Sequence, residues 1–297
     1  MGQQQSLAAG RIRLTPKPAG STAIRRQLAD GRWHFQHGPI DLMISCDGRN
    51  DACHETLAHA WARFQQVLQE LTPQLAMLRS PVSEACRGEG PIAAAMVQAC
   101  RPYREGHGLF VTPMAAVAGS VADEICRAFQ FPGIDRAYVN NGGDIALFLT
   151  PGQHYDIGVV TDLQAPAIDG RFRIDAATPV RGIATSGWRG RSFSLGIADA
   201  VTVLAATGAA ADAAATMIAN QVNIVSPAVQ RRPASELKDD TDLGERLVTV
   251  AVNPLTAAEA ASALDAGASF AELLRQQGLI AAAALALCGQ ARVVRSR

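Results

Sequence analysis

The spacing of apolar and polar residues divides the chain into segments with strand or helix periodicity. Residues 33–44 carry apolar and aromatic side chains around Gly38 and Pro39, a pattern that predicts two strands joined by a turn. Between residues 53 and 71 apolar side chains recur every three or four positions, which predicts a core-facing helix that Pro73 stops or kinks. A further short helix is expected near residues 92–100.

The remainder of the chain combines strand and helix patterns. A helix with an apolar stripe is predicted to begin at Pro113, and another spans residues 209–222. Strands are predicted at residues 136–149 (two, flanking a turn), 154–161, 171–174, 199–205 and 246–252. Two short helices are predicted at residues 256–267 and 269–278, because each segment opens with a capping box and closes with glycine.

Polar groups interrupt the apolar segments at regular intervals between residues 182 and 220, and we interpret this stretch as a site. A strand is expected to end at Ala184. The positions that follow it and offer hydroxyls, a permissive backbone or positive charge are Thr185, Ser186, Gly187, Arg189 and Arg191. A ligand could approach the backbone closely there.

Asp212 and Thr216 are four residues apart in the predicted helix 209–222. This spacing places a carboxylate and a hydroxyl on one helical face, one turn apart. Both groups are hard oxygen ligands of the kind that Mg²⁺ prefers. The alternative is that Asp212 caps the helix and Thr216 is a half-buried filler.

Two further segments contain residues that could either bind a ligand or have a purely structural role. Asp144 is a carboxylate at the start of an apolar strand, directly after Asn141, Gly142 and Gly143, which tolerate positive φ; the alternative is a plain β-hairpin. The small residues 115–120 suit a phosphate site at a helix N-terminus, and tight helix packing explains them equally well.

Composition restricts the class of protein. The chain has 297 residues, 48% of them hydrophobic, and 27 basic residues balance 27 acidic ones. The basic residues are scattered, so no nucleic-acid surface is expected. No window approaches the ~20 apolar residues of a membrane span, and the N-terminus lacks a secretory signal pattern. Six cysteines without a CxxC pair are typical of reduced thiols, which predicts a cytoplasmic protein.

Five motifs in order resemble the ApbE superfamily, the FAD:protein FMN transferases, and especially its short uncharacterised cytosolic branch. The motifs are TPMAAVAGSVADE, VNNGGDIAL, ATSGWRGR, ADAVTV and ADAAAT, between residues 112 and 222. The resemblance implies a single α+β domain in which mixed or antiparallel sheets pack with helices around a nucleotide site. Its expected parts are an N-terminal region (about 20–110), a motif-bearing core (about 111–255) and C-terminal helices (about 256–290).

The resemblance also implies FAD or FMN and Mg²⁺ as ligands. Asp212, Thr216 and the backbone carbonyl of Ala115 or Ala116 would hold the metal, and Asp212 is therefore the candidate catalytic residue. The residues expected to contact the flavin nucleotide are Thr112, Met114, Ala116, Gly119, Asn141, Gly142, Gly143, Asp144, Thr185, Ser186, Gly187, Arg189 and Arg191.

One departure from the superfamily affects the expected activity. The transferases carry a histidine and a DP-type turn between the TSG motif and the next strand, whereas this interval is SFSLGIADAV. Three hypotheses follow: a Mg²⁺-dependent FAD-processing transferase, a flavin-binding protein without transferase activity, and a sulfur-assimilation (homocysteine-forming) protein that uses a thiol such as Cys86 or Cys126. The expected partner is a small nucleotide. A protein acceptor is not expected, and homo-oligomerisation stays open.

Overall fold

The computed structural model describes residues 22–159 and 170–296. They form an α+β structure in which antiparallel sheets pack with helices, as predicted. The N-terminal residues on which the signal-peptide prediction rests, and residues 160–161 of a predicted strand, lie outside the described residues. No helix within the described ranges has the length and apolar character that crossing a membrane requires.

The strands are, in chain order, β1 (Ile24–Gln27), β2 (Trp33–His37), β3 (Ile40–Gly48), β4 (Ile134–Asn141), β5 (Asp144–Leu149), β6 (His154–Val159), β7 (Gly170–Asp175), β8 (Gly182–Ser186), β9 (Ala200–Ala205), β10 (Val229–Pro233), β11 (Leu247–Val252), β12 (Ala282–Leu287) and β13 (Gln290–Arg295). The helices are α1 (Asn50–Phe64), α2 (Val67–Leu71), α3 (Leu75–Leu78), α4 (Gly90–Glu105), α5 (Val117–Cys126), α6 (Gly208–Gln221) and α7 (Ala257–Gln276).

One large sheet contains nine of the strands described above. Its order is β1-β2-β3-β4-β5-β8-β9-β12-β13, with every neighbouring pair antiparallel. The pairs β6–β7 and β10–β11 form separate two-stranded sheets. The large sheet therefore contains strands from the N-terminal, central and C-terminal parts of the chain.

The core lies on both faces of this sheet. All six residues of β9 are buried, because side chains on each face find apolar neighbours. Val201 and Val203 pack in the cluster that includes α6, whereas Leu204 packs on the opposite face with Leu147 of β5 and Ile183 of β8. This two-sided burial accounts for the nearly continuous apolar sequence of β9.

Helices α5 and α6 cross at two glycines. A Cβ on Gly119 would lie 2.1 Å from the carbonyl oxygen of Gly208, and a Cβ on Gly208 would lie 2.8 Å from the carbonyl oxygen of Gly119. Only glycine permits this backbone approach. Close helix packing therefore explains Gly119, one of the small residues between positions 115 and 120.

The predicted helix over residues 53–71 is two helices. Helix α1 ends at Phe64, α2 begins at Val67, and Pro73 lies in the 3₁₀ turn Thr72–Gln74 that follows. The apolar period continues across the break because Phe64 and Val67 both face the same core cluster. Periodicity alone does not show such an interruption.

The C-terminal prediction of two helices is wrong. The capping box of Thr256 with Glu259 opens α7 as expected, but α7 continues through Gly267 to Gln276. A Cβ at Gly267 would lie 2.3 Å from a side-chain methyl of Val222, so this glycine permits close packing and does not end the helix. Ser269 donates its hydroxyl hydrogen to the Asp265 carbonyl one turn earlier, so it does not cap the start of a second helix.

Residues 279–290 do not belong to the helical C-terminal part expected for residues 256–290. The apolar run there contains β12, which pairs with β9 and with β13. Its small and apolar side chains face cores on both sides, and Ala283 and Leu285 pack with α6 and α7. Burial within a sheet overrides the helix propensity of an alanine-rich sequence.

Candidate functional site

A cavity of about 1610 Å³ opens at the end of the large sheet, where the β2–β3 and β4–β5 turns and the end of β8 meet α5 and α6. The predicted site residues that line it are Met114, Asn141, Gly142, Gly143, Asp144, Thr185, Ser186, Gly187, Arg191, Asp212 and Thr216. Residues from four distant segments of the sequence thus share one cavity.

The β4–β5 turn presents its backbone to this cavity. Gly142 and Gly143 have φ values of +67° and +119°, a region that L side chains rarely adopt. The Asn140 side-chain oxygen accepts a hydrogen bond from the Gly143 N–H at 2.8 Å, and the Asn141 amide donates to the Ala118 carbonyl of α5 at 3.1 Å. Two asparagines therefore fix both the shape of the turn and its position against α5.

Asp144 and Asp212 are the acidic groups of the site. Both are half-buried at the cavity wall. Desolvation raises the pKa of Asp144 to about 7, although the Thr185 backbone N–H opposes the shift. Desolvation also raises the pKa of Asp212 well above its ordinary value; the nearby charge of Asp144 adds to this, and the backbone N–H groups of Gly119 and Ala118 oppose it.

No basic side chain of the described residues forms an ion pair with Asp144 or Asp212. Thr216 lies one helical turn after Asp212 and lines the same cavity. Two carboxyl groups that make no ion pair with a described basic side chain, together with a hydroxyl, form a set of hard oxygen donors, which fits Mg²⁺. The donor chemistry therefore suits a divalent cation.

The two predicted arginines occupy different places. Arg191 lines the cavity, and its guanidinium lies 3.3 Å from the position that a Cβ on Gly142 would occupy. Arg189 does not line it: its Nε is 3.3 Å from a carboxylate oxygen of Asp199, and its guanidinium stacks on the ring of Trp188. Of these two arginines, Arg191 is the one that lines the cavity and can meet a ligand there.

Four other predicted residues do not line the cavity: Thr112, Ala115, Ala116 and Gly119. The Thr112 hydroxyl donates to the carboxylate of Asp242. Ala116 is completely buried, and Gly119 acts indirectly, through its backbone N–H to Asp212. Ala118, two residues after Ala116, is the small residue of this segment that lines the cavity.

Asp123 was not predicted from the sequence. It lies on α5, and its carboxylate accepts hydrogen bonds from the N–H groups of Gly208 at 2.7 Å and Ala209 at 2.8 Å. Thr207 is the N-cap residue of the same helix, and its hydroxyl oxygen accepts a hydrogen bond from the Ala210 N–H. Asp123 thus holds the start of the helix that carries Asp212. Its only sequence signal is a carboxylate between the apolar positions of a predicted helix, and such a carboxylate is also typical of solvated helix faces.

The thiols of the sulfur-assimilation hypothesis lie elsewhere. No cysteine lines the described part of the cavity. Cys86 and Cys126 are buried, and the sulfur of Cys86 contacts that of Met77 at 3.3 Å. Both behave as small core residues.

A protein-family model described as AbpE bacteria matches residues 25–293. The chain belongs to this family. Membership in AbpE bacteria confirms the ApbE-like resemblance that the five motifs predicted, and it extends the match over nearly the whole chain.

Among curated proteins, a UPF0280 protein of Methanopyrus kandleri is 32% identical to this chain over 180 residues. The matched region covers 60% of this chain and 69% of that protein. A UPF0280 protein of Methanoculleus marisnigri is 43% identical over 115 residues, so the matched region spans about half the length of that relative (46%) and 38% of this chain. Among solved structures, the apo form of the Pseudomonas stutzeri flavinyl transferase ApbE is 10% identical, with 93% of this chain and 94% of that chain covered and a TM-score of 0.49.

Proposed function

We propose that the cavity binds a flavin nucleotide, FAD or FMN, together with Mg²⁺. The observation that carries the proposal is the pair Asp144 and Asp212, two carboxyl groups that line the same cavity and form no ion pair with a basic side chain of the described residues. Membership of an ApbE-like family supports a flavin-related function.

The charge of the site explains why a cation and a phosphate-bearing ligand belong together. When both carboxyl groups are ionised they repel a pyrophosphate, whereas a bound divalent ion favours their charged forms, inverts the local field and attracts the pyrophosphate. Asp212 and Thr216, one turn apart on α6, would hold the ion, with Asp144 nearby. When bound, Mg²⁺ supplies Lewis-acid polarisation of phosphoryl oxygens.

The remainder of the cavity supplies the other contacts that a flavin nucleotide needs. Arg191 offers a guanidinium at the glycine turn, where the backbone of Gly142 and Gly143 permits close approach. Ser186 provides a hydroxyl at the end of β8. Aliphatic side chains along the same cavity give a flavin ring an apolar surface: Leu68, Leu71, Leu75, Met114, Val117, Ile145 and Ile183.

We further propose that the protein modifies other proteins poorly. The interval after the TSG motif contains no histidine and no DP turn, so the most obvious groups for positioning an acceptor hydroxyl are missing. Loss of such positioning costs orders of magnitude in rate. Transfer of FMN to a protein is therefore the secondary candidate function. We also propose that the protein is cytoplasmic.

The test is flavin affinity with and without the metal. Calorimetric titration of the full chain with FAD and with FMN in Mg²⁺ should give binding that weakens at least tenfold in EDTA. Asp212→Asn should weaken binding in Mg²⁺ and change it little in EDTA, because the variant removes the ion's carboxylate ligand. Asp239→Asn, an exposed loop carboxylate, is the control and should behave like the wild type. Binding that is equal in Mg²⁺ and EDTA contradicts the metal proposal.

The transfer question has its own assay. The protein, FAD, Mg²⁺ and a flavinylation-target peptide are incubated, and covalent FMN on the peptide is measured by mass spectrometry. Little or no transfer is expected. Rapid labelling would show that the altered loop does not prevent positioning of an acceptor, and absence of any nucleotide binding would discard the flavin proposal.

A further inference from the structure

Two thiols outside the cavity lie in contact with each other. The sulfur atoms of Cys46, in β3, and Cys53, in the first turn of α1, are 3.1 Å apart, and the Cys46 S–H donates to the Cys53 sulfur. Both side chains are half-buried at the edge of the core, so part of the pair is open to solvent. We propose that Cys46 and Cys53 form a modification site: a dithiol that a low-molecular-weight disulfide converts reversibly into an intramolecular disulfide.

The backbone holds both cysteines in place for this bond. Cys46 pairs in register with Ala137 of β4, and the Cys53 N–H donates to the Arg49 carbonyl at 2.9 Å. Gly48 between them approaches the chain so closely that a Cβ would lie 2.3 Å from the Gly133 carbonyl oxygen. A disulfide has an S–S length of about 2.05 Å, so the sulfurs must approach by about 1 Å, a distance that side-chain rotation can cover.

The other cysteines have no such partner. All six lie within the described residues and are free thiols, and the structure shows no second contact between cysteine sulfurs. Cys100 donates to the Thr112 carbonyl at 3.4 Å, and Cys288 is exposed on the β12–β13 turn. The chain therefore contains its own comparison thiols, buried and exposed.

Burial and the neighbouring Cys53 raise the pKa of Cys46, so the Cys46 thiol keeps its proton. Its S–H donates to the Cys53 sulfur, and the Cys53 S–H donates to the Cys46 carbonyl oxygen at 3.8 Å. The thiolate is the nucleophile in disulfide exchange. Because Cys46 resists ionisation, we expect Cys53 to react first.

The exchange balances without any further oxidant. The Cys53 thiolate attacks one sulfur of the small disulfide, which breaks the S–S bond and releases one thiolate. Cys46 then loses its proton to solvent, and its sulfur attacks Cys53 in the mixed disulfide and releases the second thiolate. Two cysteine thiols are oxidised, and one small disulfide is reduced to two thiols. The proposal does not depend on flavin binding.

The test counts thiols in the folded full chain. The exposed Cys288 would itself form a mixed disulfide with glutathione, so Cys288→Ser is the parent protein for this test. After incubation with glutathione disulfide, quenching and denaturation, this parent should lose two of its five alkylatable thiols, the six of the chain less the one replaced. Its mass should fall by two hydrogens, a peptide map should link the segments that contain Cys46 and Cys53, and dithiothreitol should restore all the thiols. The wild type should form the same intramolecular disulfide and carry, in addition, one glutathione on the exposed Cys288.

Single variants test the order of attack. Cys46→Ser should stop at a mixed disulfide that carries one glutathione on Cys53, whereas Cys53→Ser should react much more slowly at position 46. Both single variants are made in the Cys288→Ser parent. Retention of all five thiols by the folded parent would overturn the proposal, as would loss of two thiols after the further change Cys46→Ser. The peptide map of the wild type decides the matter if a serine variant does not fold.

Discussion

The carboxylate of Asp212 accepts a hydrogen bond from the backbone N–H of Gly119 at 3.0 Å. The candidate metal ligand of α6 is thereby tied to α5, at the point where Gly119 and Gly208 bring the two helices into backbone contact. Asp212 also lines the cavity, so this one side chain belongs both to the helix crossing and to the site. The same small residues that allow helix packing thus orient a group of the site.

Arg191 and Arg189 provide a matched pair for testing the anion contact. Arg191→Ala should weaken FMN binding about tenfold, or ~1.4 kcal/mol, because it removes a charged donor at the cavity. Arg189→Ala removes the same charge two residues away but leaves the cavity lining unchanged. Its affinity, measured by the same titration, should equal that of the wild type. An equal loss of FMN affinity in both variants would show that binding depends on net charge and not on a contact with Arg191.

Gly142 and Gly143 separate ligand contact from backbone strain. Alanine at either position is strained, because both glycines have positive φ, so both variants should melt at lower temperature. Only at position 142 does the new methyl crowd the Arg191 guanidinium, at 3.3 Å; at position 143 nothing lies within 4 Å. Gly142→Ala should therefore weaken nucleotide binding more than Gly143→Ala. Equal effects on binding and melting would favour a plain hairpin.

Asp144 makes the free energy of unfolding of the metal-free protein depend on pH. Its pKa rises from 3.8 to about 7 on folding, so between these values the folded state binds more protons than the unfolded state. The free energy of unfolding contributed by this group therefore falls as pH rises from about 4 to 7 and stays low above 7.

Asp144→Asn removes that penalty. In EDTA the variant should be more resistant to urea than the wild type at pH 8, and this advantage should shrink at pH 5. Mg²⁺ should reduce the difference at pH 8, because the cation favours the charged carboxylate. An advantage that is constant with pH in urea unfolding experiments would assign the effect to packing.

Asp123 should matter more for folding than its place in the sequence suggests. Asp123→Ala leaves the N–H groups of Gly208 and Ala209 at the start of α6 without their acceptor, and the expected cost is about 1–3 kcal/mol in the free energy of unfolding. Asp239→Ala, in an exposed loop, should change it by less than about 0.5 kcal/mol. Equal urea midpoints for the two variants would contradict the capping role.

Local signals in the sequence predicted several elements correctly. The Thr256–Glu259 capping box opens α7, the Gly38-Pro39 turn joins β2 to β3, and the Asn-Gly turn joins β4 to β5. These signals succeed because each acts within a few residues, through a hydrogen bond or a permitted φ that neighbouring residues supply. The i, i+4 spacing of Asp212 and Thr216 is local in the same way.

Signals that depend on distant partners failed. Gly267 resembles a helix stop but accommodates Val222 from α6, and the alanine-rich segment of β12 forms a strand because β9 offers it an edge. Thr185 and Ser186, expected beyond the strand, lie within β8, where the pairing with β9 extends to Ser186 and Val201. In each case a contact across the sheet or between helices outweighs the local preference.

The sequence by itself determined the class of fold, the family and the residue types of the site, because motif order and periodicity are properties of the chain. Only the tertiary structure decided which of those residues share the cavity: it placed Arg191 there and Arg189 elsewhere, and it brought Cys46 and Cys53 into contact. The physical reason is that strand register and the α5–α6 crossing set the direction of each side chain, and both depend on contacts between segments far apart in the sequence.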